Sequence, residues 1–573
     1  MTHGEDGIGE IVHRPSIQVN PHLLTIHNGM AMLVTDPDGW VRNGPHGLFN
    51  YDTRYLSTYR LLIEDFTPIF LDGNALTYNS AILSYTTPEF SAGPVRVQPD
   101  EIYLRVFRVL AEGLHERLEI TSYVQQPVSF NLVIHLVSSF ETLPQVQGRA
   151  PVAPRITRAV RSHDNCLITY TYRNQWFERR LEYRIVHSDS RPRQSPDVLI
   201  FPVRLRRGET WQAEIHAMMT GRPLGRFSGS LVDAPGDPDH GVGMATTRER
   251  LGNATRAIER WRASLATIQS SSAIVDTAYR SAATNLASLR LQRVGDEWYP
   301  AAGVPWFNCL FGRDALLTSY QCLTLGCPFP RAVLTRLAQL QGTKVDNWND
   351  EEPGKIPHQL RVGELSLMGK IPFNPFYGTV DATLLYVILL GETYNVTGDR
   401  GLLEEFRTPM ERCLAWAADY GDRDGDGFIE YWMHNPHDYH NQAWKDAGDA
   451  VVYPDGAPVP DPIAIVEVQG EYYQALRTAA RAYRTLGCPV EAEHCEARAE
   501  RLRETFNAAY WLPQEGFYAF GLDPDKRPIR SIASNAGQLL WTGIVPPERA
   551  ARVAERLFHD DMFCGWGIRT LSA

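Results

Sequence analysis

Residues 464–509 read AIVEVQGEYYQALRTAARAYRTLGCPVEAEHCEARAERLRETFNAA, and their apolar residues recur at the helical period on both sides of Gly487. Two amphipathic helices separated by a glycine are typical of a helical hairpin. The same period predicts about nine helices in the second half of the chain, over residues 273–292, 313–325, 330–341, 380–396, 408–420, 464–486, 490–509, 533–542 and 546–558. We therefore expect this half to consist of stacked helical hairpins.

Two kinds of signal predict where these helices begin and end. Glycine adopts the left-handed conformation that closes a helix, and it stands at the predicted ends as Gly326, Gly342, Gly398, Gly421 and Gly487. Thr408 and Glu411 have the spacing of a capping box, which predicts the start of the helix over 408–420.

The residues up to about 225 follow the two-residue period of β-strands instead. Alternating or β-branched segments begin at Ile102, Arg117, Val133 and Leu167, and turn residues separate them. Because no helical segment lies between these strands, they predict an antiparallel sandwich. We therefore expect a multidomain β + α protein, with an N-terminal β-sandwich over residues 1–225, a linker and connecting helix over 226–265, and a helical domain over 266–573.

The composition excludes several classes of protein. The 573 residues carry a net charge of −11, whereas a nucleic-acid-binding protein normally has a basic face. No run of about 18 apolar residues predicts a membrane span, and the start MTHGEDGIGE is unlike a signal peptide, so we expect a cytoplasmic protein. The eight cysteines form no CxxC pair and the histidines form no HExxH motif, so we expect reduced thiols, no metal and no cofactor.

Four long loops between the predicted helices are rich in polar and aromatic residues, and loops of this length are usually functional. They cover residues 297–312, 343–379, 421–463 and 512–532. At the end of the first, Trp306 and Phe307 precede Arg313 and Asp314. Aromatic rings stack on sugars and charged pairs bridge sugar hydroxyls, so these residues favour a sugar site. The alternative for Asp314 is compensation of the helix dipole.

The next two loops contain further candidates with alternative explanations. Residues 351–361 read EEPGKIPHQLR, and Tyr377 follows in the same loop. Asp381 begins a predicted helix, and helix capping explains its position as well as a role in the site does. DRDGDG from Asp422 matches the start of a calcium loop. An EF-hand needs a glutamate at position 12, where this chain has Met433, so we predict a turn without metal.

The stretch YHNQAWKDAGD, which ends at Asp449, is the strongest candidate for catalysis. It places Trp444 and Lys445 beside two carboxylates, Asp446 and Asp449. An aromatic wall can raise the pKa of a carboxylic acid, as a general acid requires, and the residues alone leave the choice between these two open. Glu467 and Gln469 then interrupt an apolar run. Their polar groups either have hydrogen-bond partners within the core or face a pocket.

Several of these stretches together resemble bacterial glycogen-debranching-type proteins identified as amylo-α-1,6-glucosidases. The similar stretches are GLFNYDTRYLS from Gly47, WFNCLFGRD from Trp306, EPGKIPH from Glu352, FYGTVDAT from Phe376, DGDGFIEY from Asp424, NQAWKD from Asn441 and EVQG from Glu467. The resemblance implies an N-terminal β-sandwich followed by an (α/α)6 barrel, and it implies that Asp446 is the general acid.

The resemblance also predicts what is missing. An (α/α)6 barrel has twelve helices, and the family's general base is a glutamate in its later part. Because about nine helices are predicted here, we expect the 573 residues to be a fragment without the last barrel helices and without the base.

The function implied is inverting hydrolysis of α-1,6-linked glucose at branch points of glycogen or a related α-glucan. The expected substrate-binding residues are Trp306, Phe307, Arg313, Asp314, Tyr377, Trp444, Lys445, Asp449, Glu467 and Gln469. The alternatives are another α-glycosidase of this barrel class acting on a small glucoside, and a catalytically incomplete glycan-binding chain. A sugar phosphorylase would need a phosphate site, and no Gly-rich anion cradle stands out near the loops. We expect neither nucleic acid nor membrane as a partner, and the oligomeric state is not predicted.

Overall fold

The computed structural model describes residues 23–42, 44–148, 157–161, 166–195, 197–224, 246–292, 298–326, 328–435 and 439–573. Antiparallel strands dominate the first part of these residues and helices dominate the second, so the predicted β + α fold is confirmed. Of the predicted linker and connecting helix, residues 226–245 lie outside the described residues, and a helix covers Thr247–Ser264. The domain bounds stay a prediction.

The N-terminal region contains nineteen described strands. They are β1 Leu24–Asn28, β2 Ala31–Thr35, β3 Gly47–Asn50, β4 Thr53–Leu56, β5 Thr58–Ile63, β6 Ile69–Thr77, β7 Ser80–Thr86, β8 Phe90–Ala92, β9 Val95–Val97, β10 Ile102–Leu110, β11 Gly113–Ser122, β12 Val128–Val137, β13 Glu141–Thr142, β14 Thr157–Arg161, β15 Leu167–Arg173, β16 Phe177–Ser188, β17 Arg193–Ser195, β18 Val198–Leu205 and β19 Thr210–Pro223.

These strands form three main antiparallel sheets. Their strand orders are β1-β2-β3-β4-β13, β14-β15-β16-β19-β11-β10-β7-β6 and β17-β18-β12-β5, and β8 pairs with β9 alone. Burial alternates along β10 and β12, and Leu104 and Val106 of the second sheet share one apolar core with Leu132 and Ile134 of the third. Alternating apolar residues therefore pack these two sheets as a sandwich.

Thirteen α-helices are described. They are α1 Leu143–Val146, α2 Thr247–Ser264, α3 Ala273–Ser288, α4 Gly312–Gln321, α5 Phe329–Gln339, α6 Glu364–Leu367, α7 Asp381–Thr397, α8 Arg400–Glu405, α9 Arg407–Trp416, α10 Val466–Leu486, α11 Pro489–Ala509, α12 Asn535–Thr542 and α13 Pro547–Leu557. A 3₁₀-helix covers Leu323–Leu325 and a π-helix covers Ala417–Gly421. Short paired strands join them: β20 Arg290–Gln292, β21 Trp298–Pro300, β22 Leu310–Phe311, β23 Gln359–Leu360, β24 Ala464–Ile465, β25 Trp511–Leu512, β26 Phe517–Tyr518 and β27 Gly521–Leu522.

The helices form an inner and an outer layer. In the inner layer, α4, α7, α10 and α12 contact one another in chain order. The outer helices α5, α9, α11 and α13 each pack against the preceding inner helix. Most residues of α7 and α10 are buried, whereas α11 and α13 bury only one face. The structure therefore consists of stacked helical hairpins, as the helical period predicts. Within the described residues, no helix combines the length and the apolar character that crossing a membrane requires.

The predicted helix ends are partly confirmed. Gly326, Gly398 and Gly487 are left-handed and close their helices. Gly342 does not, because α5 ends earlier, at Gln339, with Leu340 as its C-cap; a Cβ at Gly342 would lie 2.3 Å from the carbonyl oxygen of Glu352. Gly421 is the last residue of the π-helix that continues α9, but it is not left-handed. The start predicted at Thr408 is one residue late, because α9 begins at Arg407.

The sandwich supports the loops at one end of the helical region. The ring of Trp306 packs edge-on against Phe49, with 6.4 Å between the ring centroids. Arg361 forms an ion pair with Asp52 at 3.3 Å and donates a hydrogen bond to the carbonyl oxygen of Trp306. The position of residues 304–311 and 357–361 thus depends on contacts with the N-terminal strands.

Candidate active site

Two buried amides hold the loop over 439–449 in place. Asn441 accepts a hydrogen bond from the Tyr431 hydroxyl at 2.8 Å and donates one to the carbonyl oxygen of Ala447 at 2.6 Å. Gln442 donates to Asp350 Oδ2 at 2.6 Å. The amide residues that precede Trp444 in the sequence therefore fix the loop that carries the candidate acid.

The start of α4 is pressed against the loop over 351–361. The backbone N–H of Gly312 donates to the carbonyl oxygen of His358 at 2.8 Å. A Cβ at Gly312 would lie 2.1 Å from the carbonyl oxygen of Pro357, which is far inside van der Waals contact. Only glycine fits here, and this close approach sets the position of the next residue, Arg313.

Arg313 joins three segments of the chain. Its Nη1 donates to Asp381 Oδ2 at 2.5 Å, and its Nη2 donates to Asp446 Oδ2 at 3.2 Å. Thr379 donates to the other oxygen of Asp381 at 2.6 Å. Because a guanidinium offers several donors in a fixed fork, one buried side chain connects the starts of α4 and α7 with the loop over 439–449.

Asp446 combines accessibility with partial desolvation. Its side chain is 42% exposed, so a substrate oxygen can reach it. Burial of the remaining part of the side chain raises the pKa of this carboxyl. The Asp381 carboxylate adds to the shift, whereas Arg313 opposes it. A carboxyl that keeps its proton to a higher pH than usual fits a general acid.

His358 faces the same carboxyl from the other side. Its Nε2 lies 3.9 Å from Asp446 Oδ2, and its ring is enclosed by Phe311, Phe376 and Tyr439. Burial, with help from the positive charge of Arg313, holds the pKa of this imidazole well below its usual value. His358 is therefore neutral in the working pH range.

Two glutamates one turn apart on α10 form a buried acidic face near Asp381. Burial raises the pKa of Glu467 to about 7, and Asp381 adds to the shift, whereas Asn535 and Lys445 oppose it. Burial also raises the pKa of Glu471, with contributions from Asp381 and Glu467. The low dielectric of the interior therefore favours the neutral form of both carboxyls.

The aromatic and cationic candidates beside Asp446 differ in exposure. Trp444 and Phe307 are exposed. The ammonium of Lys445 lies 5.1 Å from the ring centroid of Phe520 and donates to the carbonyl oxygen of Thr570 at 2.6 Å. Burial lowers the pKa of Lys445 to about 8.

The other predicted binding residues lie in different surroundings. Burial raises the pKa of Asp314, which lies near Arg313, whereas Trp306 packs against the sandwich as described above. Asp449 is exposed at the surface of its loop. Their contact with a sugar stays a prediction.

Burial corrects the prediction for Tyr377 and Gln469. Tyr377 is only 3% exposed, and its hydroxyl donates to the carbonyl oxygen of Leu340 at 2.7 Å. The amide of Gln469 bonds to both backbone groups of Ile429 and to the carbonyl oxygen of Ile465. Gln469 is therefore a satisfied core residue, which was one of the two alternatives, and the ring of Tyr377 has too little exposed surface to stack on a sugar.

The calcium-like loop has a cation from the chain itself. The carboxylates of Asp422, Asp424 and Asp426 lie within 4.8 Å of one another and form the one such group in the described part of the chain. The ammonium of Lys526 contacts Asp424 at 2.9 Å, Asp426 at 2.8 Å and also Glu430. This lysine offsets part of the negative charge of the acidic turn and connects the turn to the loop after β27.

Sequence reasoning did not assign Asp381, His358 and Glu471 to the site. For Asp381, a helix-capping role was an equally good explanation of its position. His358 belongs to the EPGKIPH stretch, but its role is visible only once Gly312 brings α4 against that stretch. Glu471 could have been found, because it lies four residues after Glu467 and thus on the same face of α10.

Comparisons with known proteins agree with this arrangement. Residues 26–216 match the family described as the N-terminal domain of (some) glycogen debranching enzymes. Residues 346–564 match the bacterial α-L-rhamnosidase six-hairpin glycosidase domain. No curated protein sequence matches the chain.

Two solved structures are similar at low sequence identity, and the first supports the fold. A bacterial glucoamylase complexed with acarbose superposes with a TM-score of 0.53 at 9% identity, covering 92% of this chain and 76% of its own. A protein described as "Putative kojibiose phosphorylase from human microbiome" has a TM-score of 0.49 at 7% identity, with 87% and 69% coverage. The glucoamylase likeness confirms the (α/α)6-barrel type of fold. The chain combines a region that matches an N-terminal domain of the glycogen-debranching type with a region that matches a six-hairpin glycosidase domain, and this combination fits a glycogen-debranching-type glycosidase family.

Proposed function

We propose that the site is that of an inverting α-glucosidase that removes α-1,6-linked glucose from branch points of an α-glucan, with Asp446 as the general acid. The observation that carries this proposal is the environment of Asp446. Its carboxyl is accessible, has a raised pKa and is anchored through Oδ2 to Arg313. The anchor leaves Oδ1 for a proton that can be given to a glycosidic oxygen.

The reaction follows from this geometry. Asp446 donates its proton to the leaving oxygen as the bond to the anomeric carbon breaks, and Arg313 compensates the carboxylate that forms. Water attacks the opposite face of the sugar and gives its proton to a carboxylate base, which in inverting enzymes lies about 6.5–9.5 Å from the acid. We assign none of the described residues to this base.

Side chains near Asp446 suit a carbohydrate. The exposed rings of Trp444 and Phe307 are available for stacking, and the half-buried Lys445 and Asp314 offer polar groups for sugar hydroxyls. The preference for glucose over other sugars rests on the family resemblance. Because the matched six-hairpin domain is described for α-L-rhamnosidases, an α-L-rhamnoside is the second candidate substrate.

The test is to incubate the purified chain, and a C-terminally extended version that supplies the expected general base, with a branched limit dextrin, with maltose and with an aryl α-L-rhamnoside, and to follow the released sugar by NMR. Release of β-glucose from the dextrin, and not from maltose, supports the proposal, because inversion at an α-linkage gives the β-anomer. Release of rhamnose favours the second candidate. Binding of maltooligosaccharides without hydrolysis favours a glycan-binding protein.

The matched variant is Asp446→Asn, which keeps the size of the side chain and an oxygen for Arg313. Loss of a general acid lowers kcat by about 10²–10⁴-fold, and we expect substrate affinity to change little. Asp449→Asn is the comparison variant, because it removes the other carboxylate of the same loop, and we expect it to change substrate affinity more than kcat. Near-normal turnover by Asp446→Asn, or an equal loss in Asp449→Asn, would contradict the assignment.

A further inference from the structure

His358 is a buried imidazole beside the candidate acid that the mechanism above does not use. Its Nε2 is the atom that approaches Asp446 Oδ2, at 3.9 Å. Arg313 Nη2 contacts the same oxygen at 3.2 Å. Two nitrogen groups thus converge on one oxygen of a half-exposed carboxyl.

The surroundings of the ring decide which nitrogen carries the hydrogen. Nδ1 is buried and has no hydrogen-bond partner among the described residues. Buried N–H groups without an acceptor are rarer than unused acceptors, so the hydrogen belongs on Nε2, the nitrogen that faces a carboxylate. The imidazole is therefore oriented as a donor towards Asp446.

The charged groups nearby keep this donor neutral. Arg313 and Arg361 both oppose protonation of His358, and burial acts in the same direction. The groups that face Asp446 are Arg313, His358, Asp381 and Asp314. His358 consequently adds a hydrogen-bond donor to the site without adding a second positive charge, which would hold Asp446 ionised.

We propose that His358 is a positioning residue for Asp446, which together with Arg313 holds Oδ2 so that the acidic proton resides on Oδ1 and points at the leaving oxygen. The present 3.9 Å separation shortens to a hydrogen bond when the substrate is bound, as catalytic contacts often do. The proton on Oδ1 passes to the glycosidic oxygen, and the resulting carboxylate is stabilised at Oδ2 by both donors. This inference rests on the proposed glycosidase function.

The test compares a substrate that needs the acid with one that does not. Hydrolysis of a limit dextrin requires protonation of the leaving oxygen, whereas α-glucosyl fluoride has a leaving group that departs without it. For His358→Leu, we expect kcat on the dextrin to fall at least about tenfold, with KM and the rate on α-glucosyl fluoride nearly unchanged. His358→Gln places an amide N–H near the position of Nε2, and we expect it to restore most of the dextrin activity.

The pH profile gives a second readout. A donor to Oδ2 favours the carboxylate, so its loss raises the pKa of Asp446, and activity in His358→Leu should persist to higher pH than in the wild type. The control is His115→Leu, because His115 is an equally buried histidine in the sandwich whose ring nitrogens have no hydrogen-bond partner among the described residues.

The outcomes separate this proposal from the function on which it rests. If the wild type hydrolyses both substrates and His358→Leu loses equally on both, the positioning role is refuted while the glycosidase function stands. If neither the wild type nor a C-terminally extended version that supplies the expected base hydrolyses either substrate, the proposed function fails and the role of His358 fails with it.

Discussion

Replacing Arg313 by methionine tests the centre of the site most directly. The guanidinium lies between the buried carboxylate of Asp381, at 2.5 Å, and Asp446, at 3.2 Å. Breaking a buried ion pair by removing one partner costs about 3–5 kcal/mol, because the other charge stays buried without compensation. Globular proteins unfold with an entropy of about 2.1 cal/mol/K per residue, so a helical region of roughly 300 residues should lose about 5–8 °C in Tm.

The assay is thermal unfolding of four proteins: wild type, Arg313→Met, Asp381→Asn and the double variant. We expect the double variant to be more stable than the sum of the two single changes implies, with a coupling of about 1–3 kcal/mol, because it no longer contains an unpaired charge at this position. Activity adds a second check. Arg313 lowers the pKa of Asp446, so its removal should move the loss of activity at alkaline pH to a higher pH. Additive losses of stability, or an unchanged Tm in Arg313→Met, would show that the ion pair does not hold the three segments together.

Two further predictions concern stability around the site. The pKa of Glu467 rises from 4.5 to about 7 on folding, so the wild type should lose roughly 3 kcal/mol of stability as the pH increases between these values, and Glu467→Gln should not. The difference in Tm between Glu467→Gln and wild type should therefore grow from pH 4.5 to pH 7 and then stay constant; a difference independent of pH would contradict the assigned cause. Gly312→Ala places a methyl group 2.1 Å from the carbonyl oxygen of Pro357, and we expect a loss of about 1–3 kcal/mol together with reduced activity. Gly303→Ala is the matched control, because a Cβ there meets no atom within 4 Å, and equal Tm losses in the two variants would argue against the clash.

The fold was predictable because periodicity depends on burial, which is a property of each segment. The predicted helix over 464–486 corresponds to α10, and the one over 490–509 to α11. The predictions that failed concern the ends of helices. Gly421 is the last residue of the π-helix that continues α9 but is not left-handed, and a Cβ there would lie 2.9 Å from the side chain of Ile429. Thr408 has the signal of an N-cap, but α9 begins one residue earlier, at Arg407.

The candidate site was predictable only in part, because one sequence shows which groups are available and not which of them meet. Asp446 and Arg313 lie 133 residues apart, and their hydrogen bond depends on the close approach of Gly312 to Pro357. The aromatic residue type of Tyr377 suggested a stacking role, whereas its hydroxyl donates to the backbone carbonyl of Leu340 and its ring is buried. Residue type therefore does not reveal burial, and burial limits the role that a side chain can have.

The distribution of charge explains why one carboxyl of this site is suited to release a proton. Asp381 and Asp446 both contact the guanidinium of Arg313, and the charge of Asp381 also helps to raise the pKa of the buried carboxyls of Glu467 and Glu471. Asp381 has the shortest contact with Arg313 and also accepts from Thr379, so it takes most of the positive charge. The two glutamates on α10 are buried. Asp446 has the longer contact with Arg313, its side chain is 42% exposed and its pKa is raised, so among these four carboxyls it combines access for a substrate with a proton to donate.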